Sequence, residues 1–286
     1  MRDEQERKVN SELPESIEEV PQEYRTVWVF PETDQLPIKY LGRCIPEIPR
    51  YCLKRFTGSG DLVLDAFMGS GTAVGECINM ERNVIGIDAA DSAIKTTKKR
   101  LHRFFPETSI DKWVENYQRR NIIPVIIKGD TRKLPIKSET IDFIFAHVPY
   151  WSVITYTTPE EKNPYDLSRV WSLNNFHHEL LTAFRQLFRV LKWEKYCAVL
   201  VGDVRQGGRK IPLGYTNLSL LLEAGFQFYD MIVKVSENAI SMRRPVVARK
   251  ALQEDRSITA HEYVIVVKKA RNKYNDIGLD FIRGER

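Results

Sequence analysis

From about residue 25 onward, short apolar runs alternate with longer amphipathic stretches. That alternation predicts a sheet whose strands are joined by crossover helices. Seven segments read as strands: DLVLDAF (61–67), NVIGIDA (83–89), PVIIKGD (124–130), IDFIFAH (141–147), YCAVLVGDV (196–204), FQFYDMIVKV (226–235) and EYVIVVKK (262–269). Several are continuously apolar, as in strands covered by helices on both faces. Residues 72–80 follow a glycine-rich turn and read as a helix, and 90–104 carry Ala93, Ile94 and Leu101 among lysines. In 176–191, Leu180, Leu181, Phe184, Leu187, Phe188 and Leu191 share one face of a helix with a period of about 3.6. A further helix over 214–224 stops at Ala224-Gly225. No well-patterned helix separates the last two strands, which predicts an antiparallel closing hairpin. The expected fold is α/β, with seven mostly parallel strands, an antiparallel last strand and helices on both faces.

Composition narrows the class. Of 286 residues, 43% are hydrophobic, enough for a core without staples. No run approaches about 18 apolar residues, so no membrane span is expected. The N-terminus is acidic and lacks the apolar core of a secretion signal. Cys44, Cys52, Cys77 and Cys197 show no CxxC spacing, which argues against a zinc site or disulfide framework and fits a reducing cytoplasm. The net charge is +5, yet residues 1–24 hold eight acids against three bases. These residues read as an acidic flexible tail. The body is therefore more basic than the whole and suits a polyanionic partner. The expected layout is this tail, a single domain over 25–270 with a basic insertion at 236–260, and a C-terminal extension over 271–286.

The chemistry begins at VLDAFMGSGT (63–72), where Gly69 and Gly71 sit between a strand and a helix. Glycines there let the backbone turn tightly and approach a ligand, and the helix start offers unpaired N–H groups. Asp65, Asp88 and Asp130 each close one of three successive strands, at the edge where open α/β sheets bind ligands. Asp88, 17 residues after Gly71, can take both hydroxyls of a ribose. Asp130 can accept from an adenine amine. Strand-terminal aspartates also serve simply as turn formers. No GK[ST] follows the glycines, and the GxGxxG spacing is absent, so a nucleoside ligand without a pyrophosphate is preferred.

DAFMGSGT (65–72) resembles the S-adenosylmethionine motif of DNA amino-methyltransferases, D-P-F-x-G-S-G-T. RCIPEIPRYCLKRFTGSGD (43–61) is similar to the motif before it, and VWVFP (27–31) to the segment often found upstream. GDVRQGGRKIPLGYTNLSLLLEAGF (202–226) and HEYVIVVKK (261–269) resemble the closing sheet region. The resemblance spans about residues 25–270. It implies a class I, Rossmann-like methyltransferase fold with S-adenosylmethionine as cofactor and no metal. The cofactor residues implied are Asp65, Phe67, Gly69, Ser70, Gly71, Thr72, Asp88 and Asp130. Gly69, Gly71 and Thr72 would hold the methionine end, and Asp65 would orient the sulfonium end through the methionine amine.

HVPYW (147–151) falls where the family carries D/N/S-P-P-Y. The resemblance implies a base flipped out of double-stranded DNA, its amine held by the side chain of His147 and the carbonyl of Val148. Pro149 would stiffen the loop, Tyr150 would stack on the base, and Trp151 would add a second stacking surface. His147 and Val148 depart from the pattern. Neutral imidazole has one acceptor nitrogen and imidazolium has none, so activity should fall with falling pH. Carbon-5 cytosine methylation is disfavoured, because no cysteine follows a proline or the fourth strand. Tyr156, Tyr165 and Trp171 punctuate an irregular stretch that could fold over a substrate. Arg243, Arg244, Arg249 and Lys250 could hold phosphates or read guanine. Lacking a formal charge, His147 sits nearer the serine-type motifs, which leans toward N4 of cytosine over N6 of adenine. No separate recognition domain is evident, so a short target sequence, a second copy or a partner subunit is expected. The setting implied is restriction–modification. An RNA base methyltransferase, for instance of tRNA, and a non-catalytic nucleic-acid-binding subunit of the same fold are the alternatives.

Overall fold

The computed structural model describes residues 19–30, 42, 44–102, 104, 122–153, 155–157, 163–235 and 245–271. Its main sheet has eight strands, in the order β1-β9-β10-β6-β5-β2-β3-β4. They are β1 (Val27–Val29), β2 (Leu62–Asp65), β3 (Asn83–Asp88), β4 (Pro124–Lys128), β5 (Ile141–His147), β6 (Leu191–Val201), β9 (Gln227–Val235) and β10 (His261–Lys268). A separate short hairpin joins β7 (Val204–Gln206) to β8 (Arg209–Ile211). β10 runs antiparallel to both neighbours, and every other pairing of the main sheet is parallel.

All seven expected strands form. The eighth, β1, was expected only as a resembling segment. It lies at the sheet edge, paired with β9, and buries its central Trp28 against Tyr51. A second correction concerns the last two strands. They pair antiparallel as expected, but a helix over Pro245–Gln253 lies between them. Its basic residues hid the pattern, while Pro245 at its first position is compatible with a helix start. Residues 22–24, assigned to the tail, form a 3-10 turn. Glu23 pairs with Lys54 at 3.3 Å, and Gln22 donates to the Val29 carbonyl. Residues 1–18 and 272–286 lie outside the described residues.

Alternation along the strands separates two cores. Val63, Val84, Phe143 and Phe145 meet α1 (Glu47–Phe56), α2 (Thr72–Asn79) and α3 (Asp91–Leu101). Leu64, Ile87, Ile144 and Ala146 meet α4 (Leu173–Val190) and α5 (Leu213–Glu223). The helix over Pro245–Gln253 is α6. β5 is buried on both faces, which is why its sequence reads as an unbroken apolar run. Helix α4 starts where Ser172 accepts from the Asn175 N–H at 3.1 Å. It anchors through Phe176, Leu180, Phe184 and Leu187, each buried side chain contributing about 1.5–3 kcal/mol.

After β2, the chain steps outward to β3 and β4 and then returns to place β5 on the other side of β2. The connections at the carboxyl ends of β2 and β5 therefore diverge and leave a crevice. Asp65, Asp88, Gly129-Asp130 and His147 all arrive at that edge. No helix among the described residues is long and apolar enough to cross a membrane.

Candidate functional site

A cleft opens at this edge. Of the sequence-predicted residues, Asp65, Phe67, Gly69, Ser70, Thr72, Asp88, Asp130, His147 and Pro149 line it. Tyr156, Tyr165, Asp166, Cys44 and Thr131 join them from elsewhere in the chain.

The glycine loop is built from both sides. Gly69 and Gly71 take φ of +51° and +70°, the left-handed region. A Cβ on Gly71 would sit 2.6 Å from Cγ2 of Thr97, so the loop packs directly on α3. Gly71 thus shapes the loop from behind, without lining the cleft. Thr97 donates to the Gly69 carbonyl (3.0 Å) and Arg100 to the Ser70 carbonyl (2.8 Å). Thr131 donates to the Ala66 carbonyl at 2.6 Å. These three braces were missed in the sequence, because side chains that serve backbone carbonyls leave no spacing signature.

The acids differ in their surroundings. Asp65 is 2% exposed, and burial, with Asp88 nearby, pushes its carboxyl up to about 8, against the N–H groups of Phe67 and Val74. Asp88 accepts from Gly69 N–H (2.8 Å) through one oxygen and from Ala90 N–H (2.9 Å) through the other. Burial raises it to about 6 despite these bonds. Each Asp88 oxygen keeps a lone pair for a further donor. Asp130 is more committed. Its two oxygens receive the Arg132 N–H and guanidinium at 2.9–3.0 Å, and Arg132 continues to Glu179 (2.6 Å) and the Pro164 carbonyl. To accept an adenine amine, Asp130 would have to release one of these contacts.

The lining holds four carboxyl groups and neither lysine nor arginine. Such a donor set suits a ligand carrying positive charge and opposes a pyrophosphate. S-adenosylmethionine, with its sulfonium and ammonium groups and no phosphate, fits this cradle. Among the described residues no cluster of histidine, cysteine and acid side chains is arranged to hold a metal. All four cysteines are buried free thiols.

HVPYW resolves into unequal parts. His147 ends β5 and lines the cleft. Val148 is fully buried in the core. Its N–H, which a proline would lack, donates to the Leu200 carbonyl at 3.3 Å. A hydrogen bond and packing thus restrain the loop where the D/N/S-P-P-Y pattern has a proline ring. Tyr150 is half-buried and lies outside the cleft lining. Its hydroxyl lies 2.9 Å from Nε2 of His147 and donates to Glu262 at 2.6 Å. Glu262 also accepts from Lys234 at 2.9 Å, its direct partner across the β9–β10 pair. Tyr156 and Tyr165 occupy the cleft wall instead. Trp151 is also not a free surface: its indole N–H donates to the Val170 carbonyl (3.2 Å), and its ring packs on the core. Arg249 and Lys250 are exposed on α6, away from the cleft lining, and Lys250 pairs with Glu254 at 3.6 Å. Arg243 and Arg244 lie outside the described residues.

The loop over the cleft is stitched by Asp166. It accepts from the N–H and hydroxyl of both Thr157 and Ser168, at 2.6–3.2 Å. Asn163 reaches across to the Ala89 carbonyl at 2.6 Å. Trp171, the third aromatic expected in this region, is 94% exposed.

A DNA methylase family model, of the N6/N4 methyltransferases, matches residues 1–99. The type II methyltransferase M.MjaII of Methanocaldococcus jannaschii is 38% identical over 65 residues, 23% of this chain and 12% of that protein. The type II methyltransferase M2.DpnII of Streptococcus pneumoniae is 36% identical over 81 residues, 27% of this chain and 30% of its own length. The chain thus covers less than a third of these relatives. Among solved structures, the [4+2]-cyclase SpnF superposes with a TM-score of 0.51 at 15% identity, over 81% of this chain and 85% of that one. That likeness concerns the fold alone. The sheet is that of a class I methyltransferase, and over its first 99 residues the chain is similar to the DNA amino-methyltransferases.

Proposed function

We propose that the protein transfers a methyl group from S-adenosylmethionine to an exocyclic amine of a base flipped out of double-stranded DNA. The observation that carries this reading is one cleft that joins a phosphate-repelling cradle of acids to His147 and Pro149. When bound, S-adenosylmethionine supplies an electrophilic methyl group on a positively charged sulfur. Asp65 holds the ligand's ammonium group, Asp88 its ribose hydroxyls, and the Gly69-Ser70 backbone its methionine end. Phe67 and Thr72 complete the wall.

The target amine donates one hydrogen to His147 and another to the Val148 carbonyl. Both bonds direct the nitrogen lone pair toward the methyl group. The new N–C bond would form as the sulfur–methyl bond breaks, its electron pair staying on a neutral thioether that leaves, and the proton shed by the amine would pass to the imidazole. No covalent enzyme intermediate is needed, so the rate gain comes from orientation and from exclusion of water by the loop around Asp166. Burial lowers the affinity of His147 for a proton, with Lys234 acting in the same direction and Glu262 against it. A neutral acceptor at neutral pH is the state this step requires. A neutral acceptor also favours N4 of cytosine over N6 of adenine as the target. The basic body, including Arg249 and Lys250, supplies the attraction to DNA.

The test is incubation with methyl-labelled S-adenosylmethionine and either unmethylated genomic DNA or bulk tRNA. Label in DNA supports the reading. Label confined to tRNA would move the substrate to RNA, and label in neither, without cofactor binding, would end the enzyme reading.

A further inference from the structure

On the methyl-transfer reading above, we propose that Glu262 and Lys234 are positioning residues that fix the tautomer of His147 through Tyr150. Four side chains from three parts of the fold form one line. Lys234 on β9 donates to Oε2 of Glu262 on β10 at 2.9 Å. Oε1 of Glu262 accepts the Tyr150 hydroxyl proton at 2.6 Å. The Tyr150 oxygen lies 2.9 Å from Nε2 of His147.

The direction of these bonds follows from their ends. An ammonium can only donate and a carboxylate can only accept. Tyr150 therefore spends its one proton on Glu262, and its oxygen is left to accept. Nε2 of His147 must then carry the hydrogen, which leaves Nδ1 as the bare acceptor. That is the nitrogen an amine substrate needs. Without this line, either tautomer could form, and the wrong one would point an N–H at the amine.

The motif's usual first residue needs no such device. A carboxylate, or a rotatable amide or hydroxyl, presents an acceptor by itself, whereas an imidazole presents one at only one of two nitrogens. Glu262 keeps its charge in place: burial opposes it, but Lys234 and His147 favour the carboxylate and hold it below its ordinary range. The other titratable groups near Tyr150 are Tyr156 and Cys44, both driven by burial toward their neutral forms. Neither supplies a competing charge.

The decisive variant is Glu262→Gln, which keeps shape and removes the acceptor-only character. The new amide should turn its oxygen to Lys234 and its NH2 to the Tyr150 oxygen. Tyr150 would then donate to Nε2, and His147 would change to the Nδ1–H tautomer. Nitrogen-15 spectra of histidine-labelled protein read this without any substrate. Wild type should show a protonated Nε2 and bare Nδ1, and Glu262→Gln the reverse. Where methyl transfer is measured, kcat should fall about a hundredfold or more, with cofactor affinity and thermal midpoint little changed. In a Tyr150→Phe background the Glu262→Gln step should lose most of its effect, because the line is already cut.

A bare Nε2 in the wild type, or a Glu262→Gln variant that keeps both the Nε2–H tautomer and its rate, overturns the proposal. If wild type methylates no nucleic acid, the function proposed above fails, while the spectra still decide whether the line sets the tautomer.

Discussion

Binding of S-adenosylmethionine should expel a proton from Asp65. In the ligand-free protein, burial and then the neighbouring Asp88 raise this carboxyl to about 8. An acid of that strength is about nine-tenths protonated at about pH 7. The ligand's ammonium group favours the carboxylate, so close to one proton should leave per ligand bound. Ionising the group one pH unit below its midpoint costs about 1.4 kcal/mol, so affinity should fall about tenfold for each unit below 8. The slope should steepen near 6, where Asp88 also titrates. Calorimetry in two buffers of different ionisation heat counts the protons released, and Asp65→Asn supplies the control. Release should vanish in that variant, with affinity reduced. Binding that is tight, flat with pH and proton-neutral in wild type would refute the assignment of Asp65 to the ammonium group. The sign for folding is the reverse. An acid with a raised folded-state midpoint stays protonated after its unfolded counterpart ionises. The ligand-free protein should therefore lose stability, by up to a few kcal/mol from Asp65, as the pH rises from about 4 to 8.

Three further outcomes are expected. Gly71→Ala places a Cβ 2.6 Å from Thr97 at a φ of +70°; left-handed strain and a weakened Thr97–Gly69 bond should cost about 2 kcal/mol in urea denaturation. His147→Ala should lower methyl transfer about a hundredfold while calorimetric cofactor affinity stays within a few-fold; the acid limb of the wild-type rate profile should lie below an ordinary histidine's midpoint, following the lowered proton affinity of His147. Arg132→Ala frees Asp130 but removes the ties to Glu179 and the Pro164 carbonyl that hold the covering loop; stopped-flow fluorescence should report faster cofactor release.

How far the sequence can be read depends on where each signal originates. β5 was legible to the residue, because burial on both faces demands an unbroken apolar run. The strand-ending acids and the glycine loop were legible because their chemistry is local. The first half of β6, LKWEK, was missed because those residues are largely half-exposed and polar. β1 was hidden by its length of three residues and by a partner, β9, about two hundred positions away. The hydroxyl partner of Tyr150 was hidden for a similar reason. Next to a proline in the target motif Tyr150 reads as a stacking ring, and only the fold brings Glu262, 112 residues later, to its hydroxyl. An acid opening an apolar strand reads as solvent-facing. Its parity with Val264 and Val266, which point into the core beside Phe143 and Phe145, was the available clue.

The most direct measurement is mass spectrometry of nucleosides from DNA treated with the protein and S-adenosylmethionine bearing a deuterated methyl group. The heavy methyl should appear on an exocyclic nitrogen, with N4-methylcytosine favoured over N6-methyladenine, as methyl transfer to a flipped base's amine requires. A heavy methyl on carbon 5 of cytosine, or none in DNA despite bound cofactor and a range of target sequences, would contradict it.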